Sequence, residues 1–292
     1  MQQPWQTITE PGTIDDLVAD AHAAGYPDVN VRLIHSWIAK GLLDHPRLRT
    51  LARGSDKAVH GVNQRRLLLI LLDKRREVPR LSSLAQVPLA LWLWWGDAYV
   101  PTRQAQQAFV TWLGRGQRSK DVAREGALGL LRQVDHPLAT PTSRTRFVRL
   151  VTELGNGTRL TPRGRAELLD AVRAVMEPDS VFGASGLVRA LGPAQPAMTA
   201  KVVVAHAEAV STAVQRTLAG RTDAGVLEQA RALHRTSTAE YLAQRRALAA
   251  QAGPLANAFR EPTLEEQIND GAQQLLLALG RRLLNKRAGR PQ

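Results

Sequence analysis

Residues Val29 to Leu43 form the stretch that most restricts how this chain can fold. They read as a short amphipathic helix with a start and a stop built in. Asn30 is a good N-cap, because its side chain can accept from a backbone N–H one turn later. Gly41 stands where a helix needs a left-handed residue to end, and Leu42 and Leu43 follow as an apolar lock. Val31, Ile34, Trp37 and Ile38 recur at helical spacing and predict one buried stripe. The opposite stripe holds Arg32, His35, Ser36 and Ala39. A fixed cation, a titratable ring, a hydroxyl and a methyl suit a helix in a DNA major groove, where cations meet phosphates and small polar groups reach base edges. A surface helix with a solvated polar face is the plainer alternative, so the flanking sequence has to decide.

Upstream, Thr13-Ile14-Asp15-Asp16 is a capping box with Asp in place of Glu. It predicts a helix buried along Ile14, Leu17, Val18 and Ala21, followed by a breaker-rich turn at Gly25-Tyr26-Pro27-Asp28. Helix, tight turn and helix make a helix-turn-helix, whose second helix enters the groove. Downstream, Arg47 to Arg53 alternates apolar and polar residues as a short strand does. Gly54 to Lys57 is a turn, and Ala58 to Val62 can return as a second strand. A basic hairpin after a recognition helix is a wing.

The run Val29–Leu43 resembles the recognition segment of MerR-type winged helix-turn-helix regulators. Their pattern is Val-Ser-Val-Arg-Thr-Leu-Arg-Tyr-Tyr-Glu-x-x-Gly-Leu-Leu, and the two align without a gap. Val29, Val31, Arg32, Gly41, Leu42 and Leu43 agree, and Asn30, Ile34 and Trp37 are conservative replacements. His35 and Ser36 replace the family's Arg and first Tyr. The resemblance covers roughly residues 13 to 76. It implies that Arg32 and Trp37 position the helix on the DNA backbone, that His35 and Ser36 face bases, and that Arg49, Arg53 and Lys57 hold phosphates beside the wing. Lys40, Arg47 and His60 complete the expected DNA-binding set. The family's long dimerisation helix is not evident after residue 76.

Charge runs in the same direction. The formal net charge is +13. Residues 1–28 hold five acids and no Lys or Arg, whereas residues 29–80 hold 12 Lys or Arg against four acids. That contrast predicts a basic patch on the elements proposed to meet a nucleic acid.

Arg65 to Arg76 brackets Leu67 to Leu72 and predicts a helix buried nearly all round. Ser82 to Trp95 is a second apolar segment, and core packing is the favoured role for Trp92, Trp94 and Trp95, over an aromatic ligand cage or a dimer patch. Thr102 is expected to cap a further helix through Leu113. All six tryptophans lie at or before Trp112, so Gly114 to Ser119 reads as a linker or domain edge. Beyond it, helices are expected over Lys120–Val134, Ser143–Leu154, Pro162–Met176, Ala197–Ala219, Asp223–Ala252 and Thr263–Lys286. Ile268, Ala272, Leu275 and Leu279 suit lengthwise packing, either on the Asp223–Ala252 helix or on a second protomer.

No catalytic or metal-binding residue is expected. The seven histidines form no metal pair at helical spacing, cysteine is absent, and Ser185 sits in a sequence that reads as a turn, Gly183-Ala184-Ser185-Gly186. No cofactor is expected and enzyme activity is disfavoured. The first residues lack a basic n-region and an apolar run, so no signal peptide is expected. The apolar runs fall short of the roughly 20 residues of a membrane span. A cytoplasmic location without membrane contact follows as the expectation.

The expected fold is thus mainly α. Residues 1–80 form a MerR-like winged helix-turn-helix with a small β-hairpin wing, residues 81–115 a Trp-rich helical segment packing on it, and residues 116–292 an all-helical domain for oligomerisation or for effector or partner binding. The expected function is sequence-specific binding of double-stranded DNA, as a transcriptional regulator acting as a homo-oligomer, a dimer at its simplest. Two alternatives stay open: an architectural or mobile-element factor assembling on repeated sites, and an interaction module with a degenerate winged helix. No small-molecule effector is assigned.

Overall fold

The computed structural model describes residues 4–50, 56–114, 117–183, 188–189, 198–251 and 263–287. The protein is mainly helical and divides into two compact units, Met1–Gly114 with Glu265–Ala272, and Arg115–Leu264 with Gln273–Gln292.

The first unit opens with a 3-10 turn, Pro4–Thr7, then α1 (Ile14–Ala23), α2 (Val31–Ala39), a two-stranded antiparallel hairpin of β1 (Arg47–Thr50) and β2 (Asp56–Val59), and α3 (Val62–Glu77). The short α4 (Leu81–Leu84), α5 (Gln86–Trp95) and α6 (Thr102–Leu113) complete it. Helix α3 buries Leu67, Leu68, Leu69, Leu71 and Leu72, as its unbroken apolar run predicts. Phe109 and Trp112 stack on the buried side of α6, with centroids 5.6 Å apart.

Three sequence expectations are corrected in this unit. Val31 is 38% exposed, and Val29, just before the helix, is buried in its place at 4%. The three clustered tryptophans separate: Trp92 is fully buried, Trp94 is half-buried and Trp95 is 54% exposed. Thr102 is the first residue of α6 rather than its cap. Asp97 Oδ1 supplies that function, accepting from the Thr102 backbone N–H at 2.7 Å and from its hydroxyl at 2.8 Å.

The second unit contains α7 (Gln117–Val134), α8 (Pro141–Gly155), α9 (Pro162–Met176), α10 (Asp179–Phe182), α11 (Ala200–Leu218), α12 (Ala224–Gln251) and the later part of α13 (Leu264–Arg287). Thr140 and Thr161 cap α8 and α9 through their hydroxyls, each with a proline as the first helical residue. Phe147, Leu168, Val172, Val175, Met176 and Val203 form the centre of the core, joining α8, α9 and α11. Helix α13 meets α11 as well as α12, a neighbour the sequence pattern did not single out. A Cβ on Gly280 would overlap the Ala209 backbone of α11, and Arg282 Nε donates to Gln229 Oε1 of α12 at 3.0 Å.

A cation also faces a histidine across this packing. Arg281 donates to His206 Nε2 at 2.5 Å, which requires the neutral imidazole. Burial, reinforced by Arg281, pushes the His206 pKa down from 6.5 to about 4. The unfolded chain therefore binds more protons than the folded chain between those values. The stability contributed by neutral His206 is fully present above pH 6.5 and is lost as pH falls toward 4. Because His206 is only partly buried, solvent screening trims the effect, and we expect about 1–2 kcal/mol of acid-dependent loss from this site. Urea midpoints measured from pH 8 to 4 should fall less for His206→Gln than for the wild type, and superimposable pH profiles would contradict the assignment.

Candidate nucleic-acid interface

The exposed face of α2 is held by caps at both ends. The Thr13 capping box starts α1: Thr13 Oγ1 accepts from Asp16 N, and Asp16 Oδ2 accepts from Thr13 N at 2.7 Å. Gly25, at φ 88°, turns the chain after α1. His22 Nε2 lies 2.8 Å from the Val29 carbonyl. Asn30 Oδ1 then accepts from Leu33 N at 3.0 Å and starts α2.

At the other end Gly41 adopts φ 71°, and Leu42 N donates back to Trp37 O at 2.9 Å, which closes the helix in the manner of a Schellman turn. Two side chains of α6 satisfy carbonyls that α2 cannot pair internally: Gln107 donates to Ala39 O at 3.0 Å and Thr111 to Lys40 O at 2.8 Å. A buried polar node fixes the following loop. Gln64 accepts from Asp44 N at 2.7 Å and donates to Gln104 Oε1 at 2.8 Å, while Gln104 donates to Leu42 O at 2.9 Å. Arg103 closes the arrangement with two bonds of 2.8 Å to the buried Asp44 carboxylate. None of these four polar residues was singled out by sequence reasoning. Their pairing is tertiary, and the only local hint is a glutamine at the edge of an apolar helix.

With α2 held in this way, Arg32, His35, Ser36 and Lys40 are all exposed, and so is Arg47 at the start of β1. Within the hairpin Arg49 pairs with Lys57 in register. Those two residues are described by backbone alone, and Arg53 lies outside the described residues. Trp37 and His60 are corrected from surface contacts to core residues, each 1% exposed. Trp37 belongs to the buried stripe of α2. His60 is bridged to Gly12 through backbone bonds of 3.0 and 2.7 Å. Its ring nitrogens are buried, and neither makes a hydrogen bond of good geometry among the described residues. Burial lowers its pKa, against the attraction of Asp44, and so favours the neutral ring.

The basic block is also narrower than its charge count implies, because α1 and α3 bring acids and bases together. Arg65 makes a two-pronged pair with Asp20 at 2.7 and 2.8 Å and also donates to Glu10 O. Arg66 donates to Ile8 O at 2.7 Å. The Arg76 guanidinium lies 4.5 Å from the centre of the Tyr26 ring, and Lys74 pairs with Glu77. These four cations have partners within the unit. The α2–hairpin elements keep exposed charge at Arg32, Lys40 and Arg47.

Among the described residues no group of three or more His, Cys, Asp or Glu side chains could hold a metal ion. No helix among them is long and apolar enough to cross a membrane. No family model, curated protein or solved structure matches the chain.

Proposed function

We propose that the first unit is a winged helix-turn-helix that binds double-stranded DNA, with α2 in the major groove and the β1–β2 hairpin as its wing. The protein would act as a dimeric transcriptional regulator. The observation that carries this reading is the exposed stripe Arg32, His35, Ser36 and Lys40 on a helix capped at both ends and followed directly by a basic hairpin. A rigid helix presenting cations beside small polar groups supplies both phosphate contact and base-edge contact. The ion pair of Arg65 with Asp20 and the bonds of Arg66 to Ile8 O hold those two cations within the unit, while exposed charge remains on α2 and β1 at Arg32, Lys40 and Arg47 and at and just beyond the end of α3 at Arg75 and Arg80.

In vitro selection from random duplexes with the full chain tests the proposal. A short inverted repeat should be enriched, matching a two-fold dimer. Direct repeats would favour an assembling architectural factor, and no enrichment over random sequence would overturn specific DNA binding.

A further inference from the structure

In the second unit a cavity of 420 Å³ opens between the turn joining α8 to α9, helix α11 and helix α13. We infer that it binds a small zwitterion, an amino acid or a short peptide, with the carboxylate on Arg159 and the ammonium on Glu208. The inference does not depend on DNA binding by the first unit.

The turn is fastened to α11, so the walls are set in advance. Ser211 Oγ donates to Thr158 O at 2.8 Å, and Gly157, at φ 90°, lies against Val214 and Gln215. The lining has complementary chemistry. Arg159 makes no hydrogen bond or ion pair among the described residues, so its guanidinium is available to a carboxylate. Thr212, 8% exposed, is among the residues lining the cavity, and its hydroxyl has no hydrogen-bond partner among the described residues. Gln215 adds an amide that donates to Ser211 at 3.4 Å and keeps donor and acceptor capacity to spare.

Glu208, also in the lining, comes closest to Arg165 through Oε2, at 3.2 Å. Its Oε1 makes no hydrogen bond among the described residues. A ligand carrying only negative charge would be repelled by that carboxylate. A ligand carrying only positive charge would meet Arg159. One bearing both charges satisfies both groups, while Leu160 and Leu284 offer apolar surface to a side chain. The volume falls within the range of small-ligand sites, roughly 300–1,000 Å³.

The test measures thermal unfolding of the full chain without DNA, against each free L-amino acid and alanine dipeptides. The same compounds blocked at both ends, N-acetylated and C-amidated, serve as controls, and isothermal titration gives Kd for any compound that raises Tm. At least one zwitterion should raise Tm, and its blocked form should not. Arg159→Ala removes an exposed side chain and should weaken Kd roughly 10- to 100-fold, the range of a charge-assisted pair. Thr212→Val, of nearly equal volume, should weaken it less. The inference is overturned if no zwitterion raises Tm, if blocked compounds act equally, or if Arg159→Ala binds as the wild type does.

Discussion

Replacing Gly41 with alanine should destabilise the first unit by about 2–5 kcal/mol. Two penalties add. At φ 71° a side chain forces left-handed backbone, which costs about 1–2 kcal/mol for an L-residue. The new Cβ would also stand 2.8 Å from Gln104 O and from the Gln107 carbonyl carbon of α6. Backbone cannot yield as a flexible side chain does, and overpacking of this kind costs about 1–3 kcal/mol. Displacing α6 would further loosen the bonds from Gln107 and Thr111 that finish α2. All six tryptophans precede residue 113, so their fluorescence during urea unfolding reports on the first unit. A Gly41→Ala midpoint equal to the wild type's would contradict this packing.

Trp92→Ala should lower stability by about 3–5 kcal/mol, as expected for removing a large buried aromatic ring. Trp92 is fully buried and its indole N–H donates to Thr102 Oγ1 at 3.2 Å. The same replacement at Trp95, three residues on, should change stability by about 0.5 kcal/mol or less, because that ring is 54% exposed. Iodide should quench Trp95 strongly and Trp92 hardly at all. Similar stability losses at the two positions would show that the cluster is buried as a unit, against this structure.

What the residues disclosed in advance was local. Asn30, Thr13 and Gly41 act within one helical turn of their own position, and each end signal is realised in the structure. The helices after Gly114 are separated by clustered breakers such as His136-Pro137 and Gly155-Asn156-Gly157, so their limits could be placed within a few residues, although single glycines such as Gly126 and Gly280 lie inside helices. Burial was harder to read. Val31 matched the apolar spacing of α2, yet the stripe facing the core is continued by Val29 from outside the helix. In α5 nearly every residue is apolar, so period alone could not separate Trp92 from Trp95.

Charge was the least legible feature, because it depends on which elements meet. Acids in residues 1–28 and bases in residues 29–80 look like segregated blocks along the chain. In three dimensions Arg65 returns to Asp20 and Glu10, Arg66 to Ile8, and Arg76 to Tyr26. A linear count therefore overstates the basic surface. The Gln64–Gln104 node escaped for the same reason: its partners lie 40 residues apart.

DNA affinity measured against salt concentration distinguishes an α2 and hairpin seated on the duplex from a merely solvated basic face. Each phosphate contact contributes about −0.9 to the slope of log affinity against log salt. Arg32→Ala, and separately Arg47→Ala, should weaken specific and nonspecific duplexes alike and flatten that slope by nearly one unit. His35→Ala and Ser36→Ala should instead leave the slope nearly unchanged and reduce discrimination by about 1–3 kcal/mol at one or two base pairs. If all four variants keep the wild-type affinity, slope and specificity, α2 does not lie in the groove and the proposed function fails.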